Sequence, residues 1–568
     1  MEYETFGAQS YEEIPWDGRR WELQGGNTPV PLSPHPAASA PPQPGLGGIT
    51  PVPLSPAQEN AFKPDVCDFL FALAVFVLGY LFSCWVLFTW RGWGVSAFTT
   101  VYLLSVTVYL LKKGVYVKSR AAWFWLTITW VTGISYSLWE NAGLAQIKAL
   151  FLFCAAVYYV IIASRRTVMG KTGNYLILDG INAVIILPFR NIINQYVSFV
   201  VLKKRTQRRG KALPVILGVV LALLLVVCLL PMLERADSGG FSMILRFFAD
   251  IFTIRIEMII IITTYVLSAL PIAAYLYGLV SGAAHEKGTD IIKPDDAKKA
   301  VADLRFLQPA TIFIVLSAVC GLYLIFILSQ IPYFFSAFTG VRPDGWLIYS
   351  QYARQGFFEL CGIAAINLAI VMVSNVTCKR HRMELKLLKA FNIALALITL
   401  LLIATAFSKM AMYIDAYGLT MPRLLPCVFM VLMATVFVAL IFLQKWNFSI
   451  VRFALVTGSV MLCILFMSNP DALVVRYNTD RYLSGTLSEY DTEVLYRAGH
   501  AGVLPAIEIY EKASDEQLRS KVVEYLEFQL YSHRRGIFTG LGQGAHEYSV
   551  ELQRARSVLI ITTEVTAP

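Results

Sequence analysis

Charge is what this sequence has least of: Asp, Glu, Lys and Arg make up 15% of its 568 residues, while hydrophobic residues make up 57%. Soluble globular chains carry about 25% charged residues, so most of this chain has lipid rather than water as its solvent. The nine cysteines (Cys67, Cys84, Cys154, Cys228, Cys320, Cys361, Cys378, Cys427 and Cys463) form no Cys-x-x-Cys pair and sit singly in or beside apolar runs. That supports neither a disulfide framework nor zinc. The P-loop pattern, His-Glu-x-x-His and Gly-x-Ser-x-Gly are also missing, and the six histidines are scattered through tails and loops. No cofactor or metal is expected, and an enzyme is the less favoured class. A net charge of +10 raises the question of nucleic acid, but the basic residues form short clusters between apolar runs and no basic face. The opening residues are acidic (Glu2, Glu4, Glu12, Glu13 and Asp17), unlike a secretory signal, so the first apolar run is expected to act as its own anchor.

What the sequence holds instead is long apolar runs. Such runs fall at about 66–88, 95–111, 121–139, 143–163, 212–233, 258–280, 309–329, 355–375, 387–407, 424–443 and 450–467. A helix rising 1.5 Å per residue crosses a hydrocarbon core of about 30 Å in roughly 20 residues. The expected fold is therefore all-α, a polytopic transmembrane bundle of about eleven spans. Segment 174–202 is apolar too, but Asp179, Pro188, Arg190, Asn191 and Asn194 interrupt it and basic clusters flank both sides. It is expected to lie along the interface, or to dip in and return, rather than to cross.

With the N-terminus placed in the cytoplasm, the inner loops carry roughly three times as many Lys and Arg as the outer ones, as the positive-inside rule requires. Residues 1–63 read as a disordered, Pro/Gly-rich cytoplasmic tail in which PVPLSP occurs twice, at Pro29–Pro34 and Pro51–Pro56. It serves as a semi-rigid linker or as a docking segment for a proline-recognising protein partner. Residues 64–467 form the transmembrane domain. Residues 468–568 form a mostly helical extracytoplasmic segment, weakly ordered from Gly536. The lipid bilayer is the one partner expected outright, and the sequence fixes no oligomeric state.

Ionisable groups inside spans cost about 2.5–3.5 kcal/mol each on insertion scales, so each needs a reason. Lys148 lies a few residues into its span, where its long side chain is expected to snorkel outward. Glu359 follows Arg354 by five residues, roughly 7.5 Å deeper along a helix, and a carboxylate cannot snorkel far. Tyr352, Gln355 and Glu359 share one helix face, with Asn367 deeper. This is a polar binding or proton-handling face, or an interhelical network that only fixes packing. The next outer loop brings Tyr413, Asp415 and Arg423, with Gly418 and Pro422 marking a turn, and Asn478, Asp480 and Arg481 follow the last span. These clusters converge on the outer surface as a ligand site or as a salt-bridged cap over the bundle.

At YARQGFFEL (352–360), YIDAYGLTMPRL (413–424) and NTDRY (478–482) the chain resembles an uncharacterised bacterial membrane family, domain of unknown function 4173, and less closely the related group 4153. The resemblance implies a multi-pass protein of a bacterial cytoplasmic membrane and transfers no catalytic or binding residue. Two function classes remain. One is a non-enzymatic, transporter-like or envelope-associated protein with an outward-facing polar site. The other is a membrane-embedded transferase acting on a lipid-linked substrate at the outer face; against it, the first outer loop, TWRGWG, carries no carboxylate.

Overall fold

Long apolar runs have one good solution in lipid, because a helix satisfies every backbone group within itself. The computed structural model follows that rule. It describes residues 62–205, 256–286, 293–339, 349–379, 385–538, 548–555 and 557–558, a few isolated positions between 218 and 236, and two short strands in a separate N-terminal unit. In that unit, residues 1–61, Trp21–Glu22 pairs antiparallel with Val30–Pro31.

The second unit is helical: α1 (Val66–Phe82, ending in a π turn, Ser83–Leu87), α2 (Trp93–Lys112), α3 (Arg120–Leu138), α4 (Ala145–Ala163), α5 (Leu176–Ile181), α6 (Leu187–Arg190), α7 (Asn194–Arg205), α8 (Ile256–Ala284) and α9 (Pro294–Asp303). Then come α10 (Pro309–Thr339), α11 (Tyr349–Thr377), α12 (Lys386–Tyr417), α13 (Met421–Leu443) and α14 (Ile450–Met467), followed by α15 (Pro470–Leu483), α16 (Glu493–Ala498), α17 (Val503–Lys512) and α18 (Glu516–Phe538).

Ten helical segments among the described residues are long and apolar enough to cross a membrane, close to the expected eleven. Nine coincide with expected spans. The expected span 121–139 is present as α3 but is not one of the ten, since its threonines, serines and tryptophans lower its mean hydropathy; Thr129, Thr132 and Ser135 are wholly buried. The expected span 212–233 lies outside the continuously described residues. The tenth segment is Leu176–Val200.

One core joins α1–α4 and α8, a second joins α10–α13, and a third gathers the post-membrane helices. The first two meet through α14, whose Cys463 lies against Thr132 of α3. The loops expected inside gather at one end of the bundle. There Val117 N–H donates to Ala163 O (2.8 Å), Arg166 Nε to Ala283 O (2.9 Å) and Arg452 to Thr172 O. The loops expected outside gather at the other, where Trp139 Nε1 donates to Met467 O (2.9 Å).

Segment 174–202 is broken twice, by a π turn at Asn182–Ile186 and by the turn before Asn194. Asp179 at its start accepts from Val168 N–H (2.7 Å) in the 164–175 loop, and Ser198 near its finish shares a hydrogen bond with Tyr277 (2.7 Å) beside Asp68. Both ends thus lie at the Lys113 end of the bundle, while Phe189 reaches down to Tyr275. Gly278 and Gly282 of α8 make room for it, because a Cβ at either position would strike Pro188 or Asn191.

Candidate functional site at the C-terminal end of the bundle

The α12–α13 turn is built by Gly418, whose φ of 76° favours glycine and whose missing Cβ leaves room for Asn478. Asn478 grips the turn like a paired strand: Leu419 N–H donates to its Oδ1 (2.6 Å) and its Nδ2 donates to Leu419 O (2.7 Å). Arg481 donates to Asp415 O (2.8 Å) and pairs with the Asp415 carboxylate (3.1 Å). Arg423 donates to Tyr417 O and Gly418 O and stacks on the Tyr413 ring at 4.2 Å. Asp480 pairs with Arg476 one turn away, both well exposed. Tyr413, Asp415, Arg423, Asn478 and Arg481 therefore come together, and their polar atoms are largely engaged with one another and with backbone. They fasten α15 onto the α12–α13 turn.

Of the residues expected on α11, two have described side chains. Asn367 is fully buried in the second core, accepting from Tyr323 (2.6 Å) and donating to Thr399 (2.9 Å). Glu359 is exposed on α11 and acts electrostatically on Lys409 of α12. Tyr352, Arg354 and Gln355 fall in the first two turns of α11, with side chains outside the described residues.

Beside the gripped turn, the fold assembles carboxylates that sequence reasoning missed. Glu140, just past α3, accepts from His500 Nδ1 (2.6 Å) and pairs with Arg91 (3.4 Å). Burial pushes its carboxyl up, but the His500 hydrogen bond and the charges of His500 and Arg91 outweigh that and hold it below the usual range. Glu551 accepts from Glu140 N–H (2.9 Å) and from Asn469 Nδ2 (2.6 Å), and burial raises its pKa. Asp471, 2% exposed at the start of α15, accepts from Gly143 N–H (3.2 Å), and burial pushes its pKa up to about 6. Two asparagines in left-handed backbone, Asn141 (φ 49°) and Asn469 (φ 48°), turn the chain here, a conformation asparagine tolerates better than most residues.

Two expectations are corrected at this junction. Lys148 does not snorkel outward: it is fully buried, its Nζ donating to Trp139 O (3.3 Å) over the Tyr136 ring at 4.1 Å. The negative charges of Glu551, Asp471 and Glu140 draw it inward. Nor is the chain beyond Gly536 weakly held throughout, since residues 548–555 dock through Glu551 and through Trp93 N–H to Tyr548 O (3.1 Å).

Asp471 also walls a cavity of about 190 Å³ between the start of α13 and the post-membrane helices. Thr420, Arg423, Asp491, Glu493 and Arg497 complete its polar lining. Arg497 is paired with Glu493 (2.8 Å), and three carboxylates face two guanidiniums, so acidic groups are in excess by one.

A second buried centre occupies the opposite end. Asp68, in the first turn of α1, is fully buried and accepts from Tyr109 (2.6 Å), Lys113 (2.9 Å) and, on the same oxygen as Tyr109, pairs with His285 Nε2 (2.9 Å). Asp65 and Asp68 cap α1 reciprocally.

Residues 126–509 match the model of the family described as Domain of unknown function (DUF4153). The chain belongs to this family. The match takes in all three motifs quoted for the resemblance, but it starts at the third expected span rather than the first, and the family is group 4153, the one the motifs resemble less closely. Glu140, His500 and Asp471 lie inside the matched region; Asp68 and Glu551 lie outside it. Neither the curated proteins nor the solved structures include a match to the chain.

Proposed function

We propose that this integral membrane protein is non-enzymatic, transporter-like or envelope-associated, and that it binds a small solute bearing a cationic group at the C-terminal end of the bundle. The observation that carries the reading is the 190 Å³ cavity with buried Asp471 in its wall and acidic groups in excess. A cation there regains, from Asp471, a partner for the charge it gives up to burial. We further propose that this end is extracytoplasmic, that the tail is cytoplasmic and that 174–202 is re-entrant. The loop charge bias and the shared position of that segment's ends support this. The bacterial cytoplasmic membrane, and kinship to group 4173, rest on the motifs alone.

The test uses the full chain in detergent with putrescine, choline and glycine betaine as probes, read by thermal unfolding. Saturable stabilisation by a cationic probe, lost in Asp471→Asn, is expected; stabilisation by none of the three would sink the reading. Single cysteines at Ser484 and Ser408, labelled from outside intact cells, test the orientation, and labelling of Ser484 only after permeabilisation would reverse it.

A further inference from the structure

Within the spans of the first core lies a cavity of about 420 Å³, walled by α1, α2, α4, α6 and α8 through residues including Phe82, Phe98, Ala156, Phe189, Pro271 and Tyr275. The lining residues carry three hydroxyls, and each is committed to a backbone carbonyl: Thr99 to Val95 O (2.8 Å), Tyr102 to Ala156 O (3.3 Å) and Tyr275 to Val184 O (3.1 Å). Water needs two to four polar partners to occupy an interior site, and an apolar cavity of about 150 Å³ already stays dry and takes up benzene. A space of 420 Å³ so lined is a site for hydrocarbon.

The way in faces the surroundings of the bundle. Phe153 and Phe189, which both line the cavity, keep 37% and 58% of their surface exposed and approach Tyr275 from two sides. For helices of this apolarity the surroundings are lipid chains. At one extremity the lining reaches Trp90, and the next residue, Arg91, pairs with Glu140 at 3.4 Å yet keeps 42% of its side chain exposed, a cation at the bundle end that can also meet a phosphate headgroup.

From this the geometry points to a bound phospholipid: one acyl chain fills the cavity between α2, α4 and α8, with its headgroup near Arg91. Bulk phospholipid is the occupant because it is the hydrocarbon present in greatest excess, and occupancy follows mass action. The chain completes the packing that Pro271 and the broken 174–202 segment leave open. The site is separate from the Asp471 cavity and does not depend on the ligand assigned there.

The full chain in nanodiscs, doped with a phosphatidylglycerol bearing a diazirine in its acyl chain, tests this by mapping cross-linked peptides. Labelling concentrated on the segments of Phe153, Phe189 and Tyr275, above that at the exposed Leu104 and Leu150, is expected. It should fall in Ala156→Trp, whose ring enters the cavity, and fall less in the milder Ala156→Leu. Labelling spread evenly over Leu104, Leu150 and the cavity segments of the wild-type chain would overturn the proposal without recourse to any variant. Preferential labelling of the same segments by a diazirine-bearing polyprenyl phosphate at equal concentration would overturn the phospholipid assignment.

Discussion

Asp68 and the Glu140 junction both bury carboxylates at ends of the first core, yet their surroundings differ in sign. Around the buried Asp68 stand three side-chain donors, Lys113, His285 and Tyr109, of which Lys113 is shared with the exposed Asp65. At the junction three carboxylates, Glu140, Asp471 and Glu551, share Arg91, His500 and the more distant Lys148, and burial raises the pKa of two of them. The first centre is compensated and structural. In the second, the close basic partners go to Glu140, while Asp471 and Glu551 accept from amide donors, an incomplete compensation of buried carboxylates that a cationic ligand would relieve.

The largest effect expected from this contrast is at the compensated centre. Asp68→Ala leaves His285 and the buried Tyr109 hydroxyl without their shared acceptor, and Lys113 with Asp65 alone, and should cost about 3–5 kcal/mol in reversible unfolding in detergent. A loss under about 1 kcal/mol would erase the distinction between the two ends. At the junction, Asp471→Asn should go the other way. The folded Asp471 carboxyl holds its proton up to about pH 6 and the unfolded one only to 3.8. Its contribution to stability is therefore full below pH 3.8 and lost as pH rises through 6, above which the buried charge is a continuing cost. The asparagine variant should be more stable than wild type by about 1–3 kcal/mol at pH 8, with the gain shrinking to nothing near pH 4. A variant that is equally destabilised at both pH values would show Asp471 to be compensated like Asp68.

Smaller effects sharpen the same picture. His500→Ala removes the shorter of the two side-chain hydrogen bonds to Glu140 and should cost about 1–3 kcal/mol, with faster proteolysis of the 493–512 helices as the local readout. Gly418→Ala forces a Cβ against Asn478 in left-handed backbone and should cost about 1 kcal/mol or somewhat more. Asp480→Ala, removing an exposed pair, should change unfolding by less than about 1 kcal/mol.

Where chain neighbours decide the outcome, the structure was legible beforehand. The polar motifs around Asp415, Arg423, Asn478 and Arg481 do meet, because a short turn and a helix directly following the last span confine them. Glu359, in the first motif, and Asn367, further along the same helix, part from each other, one exposed and one buried, since a helix distributes its side chains by rotation as well as by depth. Glu140 and His500 are 360 residues apart and Asp68 and His285 are 217 apart. Nothing local marks such partners, and an isolated histidine in a loop gives no sign of which carboxylate it will reach.

Sequence by itself determined that the chain is an all-α membrane bundle, because hydropathy and helix length are properties of contiguous residues and lipid leaves the backbone no cheaper arrangement. It also marked 174–202 as different, through the polar residues that break it. Tertiary structure alone decided which charges are buried together, that Lys148 turns inward, and that residues 548–555 return to seal the Glu140 junction. Those outcomes depend on which helices become neighbours, and burial sets the energy of a charge only after the neighbours are in place.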